Sequence, residues 1–593
     1  MKRNRKWIAR LLAGLLAAVF CLGTAATAFA ATGASSGASS AAGATPPTGG
    51  QGGTPPSGSA PGNPPAGGGG GADTMTYDYT GSLSGALSAD GKEVTADGET
   101  SAADTADENA ALVQNGGTLT ITNGTLTKSG DDTDGDNCNF YGINSILLSV
   151  GSASKALISN STLSADSAGS NGIFATDGGT VYASGDTITT TADNSRGLDA
   201  TYGGTIVADK MTISTQGSHC AALATDRGGG NLSVTNSTLS TAGSGSPLLY
   251  STGDIEVDNV TGTAAGSQIA GMEGLNTIRI YNSTLTSTIT KATASDPIAD
   301  GIILYQSTSG DAEATTGSAA TFEAANSTLK SSIASGAMFY VTNTAANVVL
   351  SNTALDFDSA AAKLLVVAGN DANNWGSAGS NGGTVNFTGR SETLSGDIEV
   401  DSISSLDLWL LDSSSWTGTA AITENTAGTA AAAPITVNLD GTSTWVLTAD
   451  ATISNLNAAD GAKIVDASGK TVTIVAGGKT VVTGTGSLTL TVTGSYSTTV
   501  TPGDVNALST DAIDRTGFDA AYGVTTTFGS NAASAVTAVS SASSAPAADS
   551  TAASTAQSTA QSSSAPAAAA AIVIAAAAVA GILFGLRRKK KQH

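Results

Sequence analysis

The sequence predicts an all-β solenoid, a parallel β-helix, and three observations carry that expectation. A short motif returns at a near-constant interval. Each interval holds short runs that alternate apolar and polar residues, as half-buried strands do. Gly-Gly pairs mark tight turns between the runs, and helix-period patterns are nearly absent.

The interval comes first. "NSTL" stands at Asn160, Asn236, Asn282 and Asn326. Followed through the apolar residue three places on, the same slot runs Asn123, Asn160, Gly185, Lys210, Asn236, Asn259, Asn282, Asn326 and Asn352. The steps are 37, 25, 25, 26, 23, 23, 44 and 26 residues. The step of 37 contains the polar insertion "SGDDTDGDNCN", and the step of 44 is close to two ordinary periods.

One unit reads as three short strands. "SNGIFATDGGTVYASGDTITT" and "SRGLDATYGGTIVADKMTIST" superimpose without gaps, and both carry a Gly-Gly turn, as do Gly116-Gly117 and Gly228-Gly229. Stacked coils bring like residues above like. One expected inward column is Leu126, Leu163, Ile188, Ile213, Leu239, Leu285, Leu329 and Leu355; a second is Leu119, Val181, Ile206 and Leu232.

The Asn of each unit sits where the alternation breaks, at a corner. Asn tolerates left-handed backbone, and stacked amides hydrogen-bond as a ladder. Asn123, Asn160, Asn236, Asn259, Asn282, Asn326 and Asn352 are therefore read as a structural ladder, and the match to an N-glycosylation sequon as coincidence. Gly185 suits such a corner. Lys210 does not, and its neighbour Asp209 is expected to take over. The Ser after each Asn is put down to the strand preference of small β-formers.

The segments follow in order. Residues 1–31 read as a secretory signal: a basic head, the apolar run Leu11–Leu22, and Ala28-Phe29-Ala30. Residues 32–72 are a flexible Gly/Pro/Ser linker. The β-helix is expected over 73–500, a C-terminal cap over 501–530, and a Ser/Ala/Thr stalk over 531–566. Residues 567–586 are apolar throughout and long enough to span a bilayer as one helix. The basic tail 587–593 follows and would hold its side cytoplasmic. The expected location is the cell membrane, single-pass, with the folded body outside.

Ten of the 25 Lys and Arg lie in the two ends and none of the 48 Asp and Glu does, so the stretch between holds 15 against 48, a formal charge of −33. Such a body repels nucleic acid and attracts cations and basic partners, although acidity also serves plain solubility. Outside the signal only Cys138 and Cys220 remain, too few for a disulfide framework. They lie several coils apart and are expected as free or buried thiols.

At this point the chain resembles a family. The Asn corners, Gly-Gly turns and Ile/Leu columns are similar to the right-handed parallel β-helix of pectate-lyase-like proteins. "LDSSSWTGT" from Leu411 and "LDGTSTWVLTADATISNLN" from Leu439 resemble the rungs of autotransporter passengers and adhesins, with Trp416 and Trp445 expected to cover coil faces. The resemblance implies an adhesin-like surface protein of a Gram-positive cell. Autotransporters end in a membrane β-barrel, whereas this chain ends in one apolar segment. No Leu-Pro-x-Thr-Gly precedes that segment, so a membrane anchor is expected rather than covalent transfer to the cell wall.

Two sets of residues are candidates for chemistry. Asp177, Arg196, Asp199, Tyr202, Asp226 and Arg227 fall on neighbouring units, close to the Gly-Gly turns. On successive coils such groups stand about 5 Å apart, and carboxylates, Arg and an aromatic ring on one face suit a sugar or a cation. In β-helix lyases a Ca2+ held by Asp acidifies the sugar C–H and an Arg or Lys takes the proton; the resemblance would make Arg196 or Arg227 that base. An exposed ladder of paired charges is the simpler account. No catalytic residue is assigned, and His219, the one histidine of the body, reads as a packed side chain. Asp132, Asp134 and Asp136 alternate as ligands of a hard cation would, making Ca2+ the one candidate cofactor. Asn137 and Ile143 break the EF-hand pattern, and a solvated acidic loop also explains them.

The expected function is a membrane-anchored, adhesin-like β-helix that binds glycan or another surface partner. The alternatives are a surface-bound polysaccharide lyase or glycoside hydrolase, and a ligand-free surface-layer component.

Overall fold

The structure, a computed structural model, describes residues 75–529 apart from Thr308, Gly310, residues 313–318 and Asn374. The expected signal peptide, linker, stalk, membrane segment and basic tail lie outside these residues. Among the described residues no helix is long and apolar enough to cross a membrane.

Alternating apolar residues give each run one face for a core, and the polar corners between runs make the chain wind. Each strand pairs in parallel with the strand three places on. The first sheet holds 13 strands, from Ser84–Asp90 to Ala420–Thr423. The second holds 15, from Glu93–Asp97 to Tyr496–Ser497. The third holds 10, from Thr100–Ala103 to Ala354–Asp356, and a four-stranded sheet from Thr393–Ser395 to Lys463–Asp466 takes its place thereafter. This is a parallel β-helix of three-strand coils. Near its end Thr473–Ala476 and Lys479–Val482 pair antiparallel. The 44-residue step is one coil, not two: Tyr281 pairs directly with Ala325, and the extra length lies between strands.

The inward columns are in register. Leu126 pairs with Leu163, then Ile188, Ile213 and Leu239 follow, and Leu285, Leu329 and Leu355 resume the row. The break is Gly262, where Leu248 and Leu285 close over the missing side chain. The second column continues from Leu232 through Ile255, Ile278, Phe322, Val348, Phe387 and Leu408. All these side chains but Leu355, which is half-buried, are removed from water. Each such burial contributes about 1.5–3 kcal/mol before chain entropy is subtracted. The two tryptophans belong to this core rather than covering a face. Trp416 and Trp445 stack with centroids 4.7 Å apart, and their indole N–H groups donate to Gly396 O (2.9 Å) and Gly418 O (3.0 Å).

The corner slot is left-handed throughout, from Asn123 (φ 55°) to Asn352 (φ 51°). Lys210 is left-handed too, at φ 58°, so the backbone imposes the conformation without help from residue type. Its neighbour Asp209 does take over the amide row: Asp209 Oδ1 accepts from Asn236 Nδ2 at 2.7 Å. Asn259 donates to Asn236 (2.7 Å) and Asn352 to Asn326 (2.8 Å), whereas Asn282 turns to Asp258 (2.7 Å). The ladder is thus one of amides interleaved with carboxylates.

The Ser after each Asn has a role that strand preference does not describe. Ser161 Oγ accepts from Gly124 N–H, Ser237 Oγ from Met211 N–H, and Ser283 Oγ from Val260 N–H, each at 2.9 Å. The same hydroxyls donate to the carbonyl two residues earlier, as Ser283 does to Tyr281 O at 2.6 Å. They satisfy buried N–H groups that the corner removes from the sheet. The Gly-Gly turns divide their labour similarly. Gly178 is left-handed at φ 74°, and a Cβ at Gly179 would lie 2.4 Å from Ser149 O of the preceding coil.

Two segments depart from the coil pattern. The insertion read as an acidic loop contains helix α1 (Gly135–Tyr141), which buries Cys138 and Phe140. The described residues of the cap expected over 501–530, residues 501–529, do not close the end of the solenoid. They run back over the outer face of the second sheet as a strap, toward ever earlier coils. Asn506 Nδ2 donates to Thr388 Oγ1 (2.9 Å), Ser509 N–H to Glu323 (2.9 Å) and Ile513 N–H to Glu256 (3.1 Å). Helix α2 (Thr516–Tyr522) lies further along, where Tyr522 OH sits 2.8 Å from both Ile158 O and Tyr182 O. The chain then reverses, and Gly529 N–H meets Asp258 at 2.7 Å.

Candidate functional site

The six residues expected on one outer face separate into two layers. Leu198 and Ala200 point into the core, so Asp199 points outward from the first sheet. It does not reach solvent, because α1 lies over it. The segment before the helix starts it locally: Asp134 accepts from Asp136 N–H (3.0 Å) as N-cap, and Gly142 ends it at φ 70°. The seat is fixed by Asn171 Nδ2 donating to Cys138 O (3.0 Å) and Thr201 Oγ1 to Phe140 O (2.8 Å).

Beneath α1 lies the inner layer. Arg196, 8% exposed, donates to Asn139 Oδ1 at 2.6 Å and reaches Asp199 at 3.4 Å and Asp226 at 3.2 Å. Burial pushes the Asp226 carboxyl up to about 7 and raises Asp199 well above its ordinary range, with Arg196 opposing both shifts. Burial also works against the charge on Arg196, but Asp199 and Asp226 more than offset it and hold the guanidinium protonated. An enclosed, doubly paired cation cannot take a proton from a substrate, so Arg196 does not fit the role of base. The arrangement is a buried charge network that seats the helix.

The outer layer is Asp177, Tyr202 and Arg227. Asp177 and Tyr202 share one left-handed slot, at φ 52° and 47°, and Tyr202 N–H donates to Arg227 O at 2.9 Å on the next coil. Arg227 lies over the Phe140 ring, 3.6 Å from its centroid, and is paired with Asp311. Burial works against the Arg227 charge, but Asp311 holds the guanidinium protonated, so Arg227 too is a poor base.

Tyr202 joins a tyrosine patch that the sequence reading did not assemble. Tyr141, the last residue of α1, stacks on Tyr202 at 5.7 Å and 10°. Tyr77 stands edge-on to both, at 5.4 and 5.6 Å, and Tyr79 lies 5.2 Å from Tyr141. All four rings are half-buried. Tyr141 OH donates to Asp78, and burial, with the Asp177 charge adding to it, raises the Tyr77 phenol. The rings come from three separate stretches of chain, so no local pattern announces them. A signal was nonetheless present: Tyr77 and Tyr79 alternate just ahead of the first coil, in a region otherwise poor in aromatics.

The acidic run 131–137 is used in several ways. Asp134 caps α1, Asp136 lies exposed in its first turn, and Asp132 turns toward Gly169 and Cys138. Among the described residues no group of three or more His, Cys, Asp and Glu is placed to hold a metal ion. Cys138 and Cys220 are buried free thiols, and burial pushes Cys220 up to about 11. Ser195 N–H donates to Cys220 Sγ at 3.0 Å, and Cys220 N–H to Ser246 Oγ at 2.9 Å, so Cys220 is one rung of a second ladder of small polar side chains. His219 is not a packed side chain. It stands exposed at a left-handed corner, φ 57°.

No protein-family model matches the chain, and no curated protein sequence matches it.

Proposed function

We propose that this chain is a membrane-anchored surface protein of adhesin type, wound right-handed, that binds glycan through the patch of Tyr77, Tyr79, Tyr141 and Tyr202. The observation that carries the reading is the convergence of four half-buried rings beside Asp78, Asp177 and Arg227. Aromatic faces present large apolar area at low entropic cost, and they suit the C–H faces of sugar rings. Flanking carboxylates and Arg suit hydroxyl groups. The signal-like head, linker, stalk and apolar C-terminal segment support display at a cell surface of Gram-positive type.

The test is a glycan array probed with the purified chain. Binding to a defined glycan class should fall at least about tenfold in a Tyr202→Ala, Arg227→Ala double variant and persist in Tyr496→Ala, which lies far along the solenoid. An array without signal would leave a ligand-free surface component as the better reading. The polysaccharide-lyase alternative draws no support from the paired state of Arg196 and Arg227. Appearance of unsaturated uronate product would restore it.

A further inference from the structure

The strongest unexplained chemistry lies on the ninth coil, away from the tyrosine patch. Asp300 opens the strand Asp300–Tyr305 and is 1% exposed, yet neither of its carboxylate oxygens has a hydrogen-bond donor among the described residues. Asp296, in the loop just before this strand, lies near enough for its charge to act on Asp300, and neither residue takes part in an ion pair among the described residues. The surroundings are closed. Asn373 donates to Ser295 O from the loop above, and Trp375 of that loop stacks on Tyr305 at 4.4 Å. The Asp300 charge is felt at Tyr340 on the next coil. Asp296 is only half-buried, at the rim, which leaves a route in from solvent.

A carboxylate as dry and unpartnered as Asp300, with a second acid beside it, does not stay charged without a neutralising partner. Burial pushes Asp296 up to about 7 and raises Asp300 well above its ordinary range, the more so for having Asp296 beside it. Either a proton or a cation must neutralise the pair. The geometry points to a cation: we propose that Asp296 and Asp300 are the charged ligands of a buried divalent hard-cation site of the Ca2+ class. Two carboxylates match one divalent charge, whereas a monovalent ion would leave a buried negative charge. Ca2+ accepts six to eight oxygens in flexible geometry and sheds its water, which suits a site roofed by Asn373 and Trp375. Mg2+ keeps several waters and suits it poorly. The ion would tie the loop before Asp300 to the sheet, a holding role that involves no chemistry. The proposal is independent of the glycan reading.

The test uses the full chain in detergent. Millimolar Ca2+ should raise the melting temperature by roughly 3–5 °C over the chelated protein, with Mg2+ giving much less. Asp300→Asn should abolish that rise while melting above wild type in chelator at pH 8, because the repulsion is gone. An Asp132→Asn, Asp136→Asn variant should keep the rise, which separates this site from the acidic run before α1. Tb3+, a luminescent Ca2+ substitute, provides a readout on the unaltered protein. Trp375 and Tyr340 should sensitise its emission, and Ca2+ should displace it. A melting temperature indifferent to Ca2+, a rise that survives in Asp300→Asn, or absence of sensitised Tb3+ emission each overturns the proposal and leaves a shared proton on the pair.

Discussion

At the residue scale, this fold is decided at its corners. A left-handed corner is cheap for Asn and Gly and costs about 1–2 kcal/mol for other residues. Lys210 stands in such a corner at φ 58°, and its return is an ion pair in which the ammonium is exposed and Asp209 is buried. Lys210→Asn should therefore stabilise the protein by roughly 0.5–1 kcal/mol, seen as a higher urea midpoint at unchanged slope. A lower midpoint would mean that the ion pair outweighs the backbone strain.

Two corner hydroxyls are replaced by acids. Asp186 stands in the Ser slot, accepts from Ser161 N–H at 2.7 Å, and is pushed by burial up to about 7. Glu392 accepts from Thr353 N–H at 2.7 Å and is pushed up to about 8. In the unfolded chain both titrate near 4. From about pH 4 upward the unfolded chain therefore binds fewer protons than the native one, and stability falls until pH passes the native values near 7 and 8, then levels. An Asp186→Asn, Glu392→Gln variant should lose much of this slope and be more stable at pH 8, by on the order of a few kcal/mol. Thermal melts at pH 5 and pH 8 decide it, and equal slopes in both proteins would refute it.

At the scale of the element, the strap and α1 show why position along the chain misleads. Residues 504–529 lose the repeat because they are not a coil, and their polar groups are spent on the flank of other coils. Arg515 is the anchor. It is 6% exposed and donates to Ser233 O and Oγ (both 2.8 Å), Thr235 Oγ1 (3.1 Å) and Ala208 O (3.2 Å). Arg515→Ala should cost on the order of 2–3 kcal/mol of strap docking with little effect on the coils. Chymotryptic cleavage at Phe518 and Tyr522 should accelerate while the main melting transition stays. Unaltered cleavage would assign the docking to Phe518 and Tyr522 instead. Likewise α1 reads as a polar insertion by composition. Its Asp134 cap and the two apolar residues Cys138 and Phe140 were legible, but a seven-residue helix carries too few periods to declare itself.

At the scale of the whole molecule, each coil touches chiefly its two neighbours, so stability should approximate a sum of coils and interfaces. Arg390 pairs with Leu411 one coil on. Deleting residues 391–411 therefore joins equivalent positions and should leave a folded, cooperatively melting protein with β-sheet circular dichroism. Failure to fold would show that long-range elements such as the strap dominate.

The sequence by itself determined the winding. A repeated corner fixes which residues point inward, and a column of like residues then stacks in register because any slip would bury polar groups and expose apolar ones. That is why the row from Leu126 to Leu355 was legible, whereas its break at Gly262 came only with the strand pairing. Only the tertiary structure decided what covers the outside. The burial of Arg196 and Asp199, the meeting of Tyr77 with Tyr202, the strap on the second sheet and the closure over Asp300 all depend on segments far apart in the chain meeting on the solenoid's flank. Such meetings have no period, and it is the period alone that a solenoid writes into its sequence.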